Sequence, residues 1–503
     1  MATTDTPPRV THAQIVGVTL GNALEFYDFL IFTFFAVEIG RTFFPATDSQ
    51  SSLLAALATF GAGFLTRPLG GLVIGVLGDR LGRRPMMLLS FALIGTASLG
   101  VALTPSYAAI GIAAPLLVLF WRLIQGFALG GEVGPSTAFL AEAAPPHRRG
   151  LYVSMQMFGQ NIAVLVAGLI GLALAQIMDD AMLASWGWRI ALALGVGVVP
   201  IGLALRRTLP ETLPDDVPAS VGPLLRDYRR TAIIVSMALL SGTIMAYVAN
   251  YLTTFAKTMV HLLSGTAFWA TIAVGIGGTI GAALMLRRTL PETLPSDAPA
   301  TRTPPLRDYR RTAIIAFVAL LSGTIMTYVT NYLTTFAKTT LHLPSGTAFW
   351  ATIAVGVGGT IGAPLGGWLA DRYGRRPAMI LPTLFVCLIT LPAFWLLTVA
   401  PGKASLFLVG CMLRLSIGIS LSAVLVHITE DFPARVRSGA LAIVYALAIS
   451  IFGGSTQFAV AWLTGVTGNP LAPAWYMAAA AVVGLVALCF ARETVPERVS
   501  AGS

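Results

Sequence analysis

Residues Gly75 to Pro85 read G-V-L-G-D-R-L-G-R-R-P, and residues Gly367 to Pro377 read G-W-L-A-D-R-Y-G-R-R-P. Each stretch closes a long apolar run. The charges of Asp79, Arg80, Arg83 and Arg84 in the first loop, and of Asp371, Arg372, Arg375 and Arg376 in the second, cannot rest in hydrocarbon. Each loop therefore marks a water boundary between two membrane-spanning helices, the segment type whose backbone satisfies its own hydrogen bonds in lipid. A repeated boundary implies that the helices around it are repeated, so the chain reads as an all-α integral membrane protein in two halves.

Composition agrees. Hydrophobic residues make up 56% of the 503 residues, charged residues 11%, and mean hydropathy is +0.79, against about 25% charged residues in a soluble domain. Apolar runs of about 20 residues cross a bilayer. They fall at 14–37, 53–78, 86–104, 110–139, 151–176, 189–205, 231–253, 265–286, 312–334, 346–370, 378–399, 405–428, 438–465 and 473–491, about 14 transmembrane helices. The net charge of +10 sits in alternate loops: Arg148 with Arg149, Arg206 with Arg207, Arg287 with Arg288 and Arg435 with Arg437 join the two quoted loops, whereas 104–109 and 465–472 carry no Lys or Arg. That bias places both termini and the Arg-rich loops in the cytoplasm, and it gives the charge a topological meaning in place of a nucleic-acid partner. Cys387, Cys411 and Cys489 lie in apolar spans without the spacing of a metal or disulfide framework and read as small buried hydrophobes. Residues 1–13 read as a polar cytoplasmic N-terminus; Pro7 and Pro8 stand where a signal peptide would have its apolar core.

The polar segments 206–230 and 287–311 open a second repeat. Residues 206–284 match residues 287–365 at an offset of 81, with identity at 63 of 79 positions. An ancient structural repeat would have diverged further, so this reads as a recent tandem duplication of one linker and one helical hairpin. It divides the chain into an N-terminal six-helix bundle (14–205), a linker plus extra hairpin (206–286), a cytoplasmic linker (287–311), a C-terminal six-helix bundle (312–491) and a cytoplasmic C-terminus (492–503). An even number of added helices leaves the downstream orientation unchanged. The second copy runs into the Asp371 loop and carries Thr327 and Thr330 where the first has Ala246 and Ala249. The second copy is therefore expected to be the working hairpin and the first a lipid-facing spacer.

In the first span, G-N-A-L-E-F-Y-D-F places Asn22, Glu25 and Asp28 three residues apart on one helical stripe. An acid at mid-bilayer costs about 2.5–3.5 kcal/mol on insertion scales. Glu25 and Asp28 thus either face a cavity, where they can carry a proton, or sit near a helix end as anchors. In W-R-L-I-Q-G-F-A-L-G-G-E, Arg122, Gln125 and Glu132 share a face. Arg122 keeps its charge and offers a planar fork of donors, suited to a substrate carboxylate or to a structural pair with Glu25 or Glu132. Gly126, Gly130 and Gly134 form small-residue steps that serve close helix packing. Arg67 in F-L-T-R-P-L-G, Gln156, Gln160 and Asn161 in the fifth span, and Tyr328, Asn331 and Tyr332 in the second hairpin copy either contact substrate or glue helices. Arg414, flanked by C-M-L and L-S-I, has no acid after it in its span until Glu430, and a bound anion would complete it. Lys257 and Lys338, two of only three lysines, fall at outer helix ends and read as side chains snorkelling to the interface.

The two G-x-x-x-D-R-x-G-R-R loops and R-L-I-Q-G-F resemble the signatures of the major facilitator superfamily. Within it, G-N-x-L-E-x-x-D-F, R-T-F-F-P-A, F-L-x-R-P-x-G, W-G-W-R-I, R-R-T-L-P-E-T and D-F-P-A-R-V-R look like the metabolite:proton symporter family, with the pattern nearest to bacterial citrate-proton symporters. The resemblance covers nearly all of 14–491 apart from the extra hairpin. It implies a major facilitator fold, two six-helix bundles around a central cavity with the duplicated hairpin between them, and proton-driven import by alternating access in the bacterial inner membrane. Members move citrate, tricarballylate, 2-oxoglutarate, shikimate, or proline and betaine. Carried over by position, Glu25, Asp28 and Glu132 become proton-coupling candidates, Arg122 a substrate or relay candidate, and Asp79 and Asp371, each with the arginines of its loop, cytoplasmic gate residues. With the polar residues above, the candidate substrate set is Asn22, Arg67, Arg122, Gln125, Gln156, Gln160, Tyr328, Asn331 and Arg414. No cofactor beyond the coupling proton and no metal are expected. The expected partners are a small organic anion and the bilayer, with the monomer as the working unit.

Three intramembrane arginines favour a multiply charged organic acid, citrate-like or dicarboxylate. A zwitterionic osmolyte such as proline or betaine would want one anion site plus an aromatic cage. A nutrient sensor would need a longer signalling tail than 492–503, drug efflux poorly suits so many arginines, and no metal spacing, nucleophile elbow or phosphate-cradling loop points to an enzyme. The duplication adds one further alternative, a membrane protein that no longer transports.

Overall fold

The computed structural model describes residues 12–46, 48–71, 73–74, 83–130, 136–137, 140–141, 144–207, 309–431, 445 and 448–493. The expected spans at 231–253 and 265–286, and with them the extra hairpin, lie outside the described residues. The number fourteen therefore rests on sequence. The N-terminal half contains α1 (His12–Phe34), α2 (Ala36–Phe43), α3 (Ser49–Ala62), α4 (Arg83–Leu103), α5 (Ala113–Gly130), α6 (Arg149–Ile177) and α7 (Trp188–Arg207). The C-terminal half contains α8 (Tyr309–Asn331), α9 (Leu333–Thr339), α10 (Ser345–Tyr373), α11 (Arg375–Val399), α12 (Lys403–Asp431), α13 (Gly454–Thr467) and α14 (Ala472–Cys489). Among the described residues there is no strand, and 10 helices are long and apolar enough to cross a membrane. Helices α4, apolar over Leu88–Leu103, and α7 pack against each other in the same assembly.

The spans are apolar on all sides because one face meets lipid and the other meets protein. On α11, Leu388 and Val399 are exposed while Val386 and Leu397 are buried. The glycine steps of α5 serve packing. A Cβ on Gly126 would overlap the Gly63 carbonyl and one on Gly130 the Arg67 carbonyl, so the backbones of α3 and α5 touch there. Gly126→Val is expected to cost at least about 1–3 kcal/mol by overpacking, read as loss of the monodisperse peak in detergent gel filtration.

Several local breaks bring polar residues inward. The first crossing, expected at 14–37, bends at Phe35 and continues as α2 to Phe43. The bonds Phe35 N to Ile31 O (3.1 Å) and Ile39 N to Phe35 O (2.9 Å) carry it through. Glu38 consequently sits inside the bundle. Asp48 caps α3, accepting from the Ser51 hydroxyl (2.7 Å) and amide (2.8 Å), and these bonds hold its carboxyl below the usual carboxylate range. Regular helix stops at Ala62, and Thr66 Oγ1 donates to the Leu123 carbonyl at 2.6 Å. That tie pins a turn just before Arg67. Arg189 of W-G-W-R-I donates to the carbonyls of Ala102 and Thr104 and stacks on Trp188 at 4.3 Å, capping the C-terminus of α4. Between the halves, α6 lies along α10 and α3 against α13. A π-helical turn, Ile449–Gly453, brings Gly453 beside Phe64 and Tyr328.

Candidate functional site

Phe29 of α1 is fully buried between two guanidinium groups. Arg67 lies 4.6 Å from its ring centroid and Arg122 also 4.6 Å. Arg67 stacks further on Phe64 (4.3 Å), and Arg122 on Phe32 (4.5 Å) and Phe60 (5.0 Å). Both arginines are deeply buried, at 4% and 1% exposure. On each, Nε and Nη2 have no hydrogen-bond partner among the described residues. Cation–π contact recovers about 2 kcal/mol for a desolvated guanidinium, well short of the several kcal/mol that burying a charge costs. Tyr328 of α8 packs its ring on Phe60 and Phe64. Its phenol is within electrostatic reach of Arg67, Arg122 and Arg414. Two arginines of the N-terminal half and one of the C-terminal half thus share one electrostatic neighbour.

Arg122 Nη1 donates to Gln125 Oε1, and Gln125 Nε2 donates to the Ser98 hydroxyl at 3.0 Å. Ser98 also neighbours Asp28, which is buried against Gly195 of α7 with Oδ1 unpartnered among the described residues. A hydrogen-bonded chain therefore runs from Ser98 through Gln125 to Arg122, with Asp28 at its Ser98 end. Asn22 and Gln156 face each other: Asn22 Nδ2 donates to the Gln156 carbonyl (2.8 Å) and Gln156 Nε2 to Asn22 Oδ1 (3.2 Å). This pairing joins α1 to α6. Gln160 Nε2 reaches the Tyr445 hydroxyl at 3.5 Å. Asn331 is buried with its Oδ1 unpartnered. Arg414 Nε donates to Asn161 Oδ1 at 2.9 Å and its Nη1 reaches Thr330 Oγ1 at 3.5 Å.

Of the remaining candidates, Glu132, Asp79 and Arg80 lie outside the described residues. Glu25, Arg83 and Arg84 fall within α1 and α4, their side chains outside the description. Sequence reading overlooked Ser98, whose role depends on the approach of α4, and Gln457, fully buried with both amide atoms unpartnered.

The halves are tied at both ends. At one end Asp371 of α10 accepts from the Gly150 and Leu151 amides, at 2.8 and 3.0 Å, in the first turn of α6. Arg375 pairs with Asp371 (2.7 Å) and in bidentate fashion with Glu430 (3.0 and 2.9 Å), while Arg149 lies 3.8 Å from Glu430. Glu493 accepts from the Arg375 and Arg376 amides at 2.9 and 3.1 Å, capping α11. Arg372 stays apart, stacked on Trp368 and Tyr373. At the other end Lys338 of α9 meets Glu38 of α2 at 2.7 Å, each side chain 7% exposed. Its ammonium lies 4.7 Å from the Phe349 centroid and 5.5 Å from that of Phe35. This corrects the expectation that Lys338 snorkels to the interface. The bend at Phe35 carries a carboxylate to it, and a buried partner outweighs the pull of water. The two ties stand about 30 Å apart along α6, from Gly150 to Gly171 beside Phe349, at 1.5 Å per residue.

Residues 14–214 match the family described as "Sugar (and other) transporter", and residues 312–503 match the "Major Facilitator Superfamily". The citrate-proton symporter of Klebsiella pneumoniae is 32% identical over 476 residues, covering 95% of this chain and 90% of that protein. The chain belongs to the major facilitator superfamily. The proline/betaine transporter of Escherichia coli (strain K12) is 29% identical over 486 residues, covering 95% and 83%. The structure of the proton:xylose symporter XylE superposes with a TM-score of 0.64 at 21% identity, covering 96% of each chain, a likeness of fold. As a major facilitator protein the chain is a multi-pass membrane transporter and not an enzyme.

Proposed function

We propose that this protein imports an organic acid carrying at least two carboxylates, citrate-like or dicarboxylate, together with protons. The observation that carries the reading is the burial of Arg67 and Arg122 on the Phe29 ring, with Nε and Nη2 of both unpartnered among the described residues, and of Arg414 on Asn161 and Thr330 in the other half. Each of those donors would form a charge-assisted bond, roughly 1.5–3 kcal/mol, with a carboxylate oxygen. Relatives described as citrate-proton symporters support the substrate class. A zwitterionic osmolyte is the weaker reading. The aromatic faces of Phe29, Phe32, Phe60 and Phe64 that could cage its ammonium already carry Arg67 or Arg122.

In this reading Asp28 is the proton carrier. Ionised, it offsets the charge of Arg122 through Ser98 and Gln125; protonated, it leaves Arg122 free to balance a substrate carboxylate. Proton and anion then occupy the site together. The Asp371 and Glu38–Lys338 ties act as gates on the cytoplasmic and outer sides, broken alternately as the halves rock about the fixed site. With both formed, the site is closed to both sides. The second hairpin copy is the working one, since Thr330, which replaces Ala249 of the first copy, stands beside Arg414.

The test is uptake of labelled citrate, 2-oxoglutarate and proline into proteoliposomes under an imposed inward proton gradient. Accumulation of an acid supports the reading, and accumulation of proline alone overturns it. Asp28→Asn is expected to abolish gradient-driven accumulation while counterflow exchange continues at a measurable rate. Intact accumulation would remove Asp28 from the coupling path.

A further inference from the structure

Arg414, like Arg122 with Gln125, is buried on an amide oxygen, but its amide comes from the opposite half of the molecule. Arg375 is neutralised by Asp371 and Glu430, whereas among the described residues no carboxylate pairs with Arg414. Its contacts are an amide oxygen and a hydroxyl, Asn161 Oδ1 at 2.9 Å and Thr330 Oγ1 at 3.5 Å. Asn161 belongs to α6 in one half and Arg414 to α12 in the other. The amide is held in place: its Nδ2 donates to the Met157 carbonyl at 2.7 Å, which turns Oδ1 toward the guanidinium. Gly359 of α10 lies against that oxygen, where a Cβ would overlap it. Asn161 is 2% and Arg414 6% exposed, so water screens neither.

An aspartate has the same shape and would make a stronger bond to Arg414, yet the position is an asparagine. A neutral acceptor orients the guanidinium without cancelling its charge. We propose that Asn161 is a positioning residue that aims Arg414 while leaving its charge uncompensated, so that the site demands a second carboxylate from its substrate. The inference rests on the organic-acid reading above and deepens it. Arg67 and Arg122 hold one carboxylate from the N-terminal half, Arg414 takes another from the C-terminal half, and a monocarboxylate leaves one side unbalanced. Binding of the dianion therefore spans both halves.

The experiment is equilibrium binding of citrate to the purified full chain in detergent, for wild type, Asn161→Ala and Asn161→Asp. A role in mere packing predicts that Ala, which loses both the acceptor for Arg414 and the donor to Met157, is the worse change, and that Asp, which loses only the donor, is the milder one. The charge-setting role predicts the reverse order: Asp weakens citrate binding by about tenfold or more relative to Ala, since a neutralised guanidinium no longer attracts an anion. Should Asn161→Asp fail to fold, Thr330→Asp presents the same charge from the other half and carries the same expectation. Wild-type affinity in both aspartate variants overturns the inference while leaving the organic-acid reading intact. Failure of wild type to bind any di- or tricarboxylate overturns both.

Discussion

Arg122→Gln is expected to lower proton-driven organic-acid uptake by about 100-fold or more, with no loss of folded protein. The guanidinium stacks on Phe29, Phe32 and Phe60 and spends only Nη1 on Gln125, leaving Nε and Nη2 without partners. Two charge-assisted bonds to a substrate carboxylate, at about 1.5–3 kcal/mol each, amount to two decades or more of affinity. Stability should move the other way. Among the described residues no carboxylate pairs with the guanidinium, whose burial is a cost to the fold, so its replacement by a neutral amide should leave the melting temperature unchanged or raise it. Arg122→Lys should recover little, because a point charge cannot reproduce the fork. Uptake within a few-fold of wild type in Arg122→Gln, measured in proteoliposomes at matched protein density, would show that this arginine is structural.

Breaking the Glu38–Lys338 tie is expected to have the next largest effect, on the rate of cycling. Removing one partner of a buried pair leaves the other charge uncompensated at a cost of about 3–5 kcal/mol. The closed state bears that cost because both side chains are sealed there, each 7% exposed, with the ammonium against Phe35 and Phe349; opening the outer side lets the remaining charge reach water. Glu38→Gln and Lys338→Met should each bias the protein outward and slow uptake by about tenfold or more. Labelling shows the bias directly. In a background without the native cysteines, Leu53→Cys, buried at 3% exposure in α3, should react faster with an impermeant maleimide once either charge is gone. The exchange Glu38→Lys with Lys338→Glu should recover part of the uptake. If both single variants cycle at the wild-type rate, the pair is not a gate.

Sequence alone was enough for the class, the two-halved architecture and the family, because hydrocarbon tolerates so few ways of placing a charge. The D-R-x-G-R-R loops, the alternating arginines and the length of the apolar runs each follow from the bilayer, which acts on segments one at a time. Arg67, Arg122 and Arg414 were legible as candidates for the same reason, each an arginine where none belongs without a purpose. The near-identity of 206–284 and 287–365 was visible only as sequence, since the first copy lies outside the described residues.

Partnership was decided by tertiary structure. Nothing local in F-A-V-E-I-G announces that Glu38 will meet a lysine 300 residues away, and Lys338 at a helix end suits the interface equally well. Asn22 and Gln156 were each legible as polar candidates, but that they bond each other shows only once α1 and α6 are set side by side. Arg122 had Glu25 and Glu132 as candidate partners in the sequence, and among the described residues it meets Gln125 together with three phenylalanine faces. Helical periodicity specifies which residues share a face, but the face opposite is chosen by the packing of other helices. A side chain's charge can therefore be read from one segment, whereas what balances that charge depends on at least two.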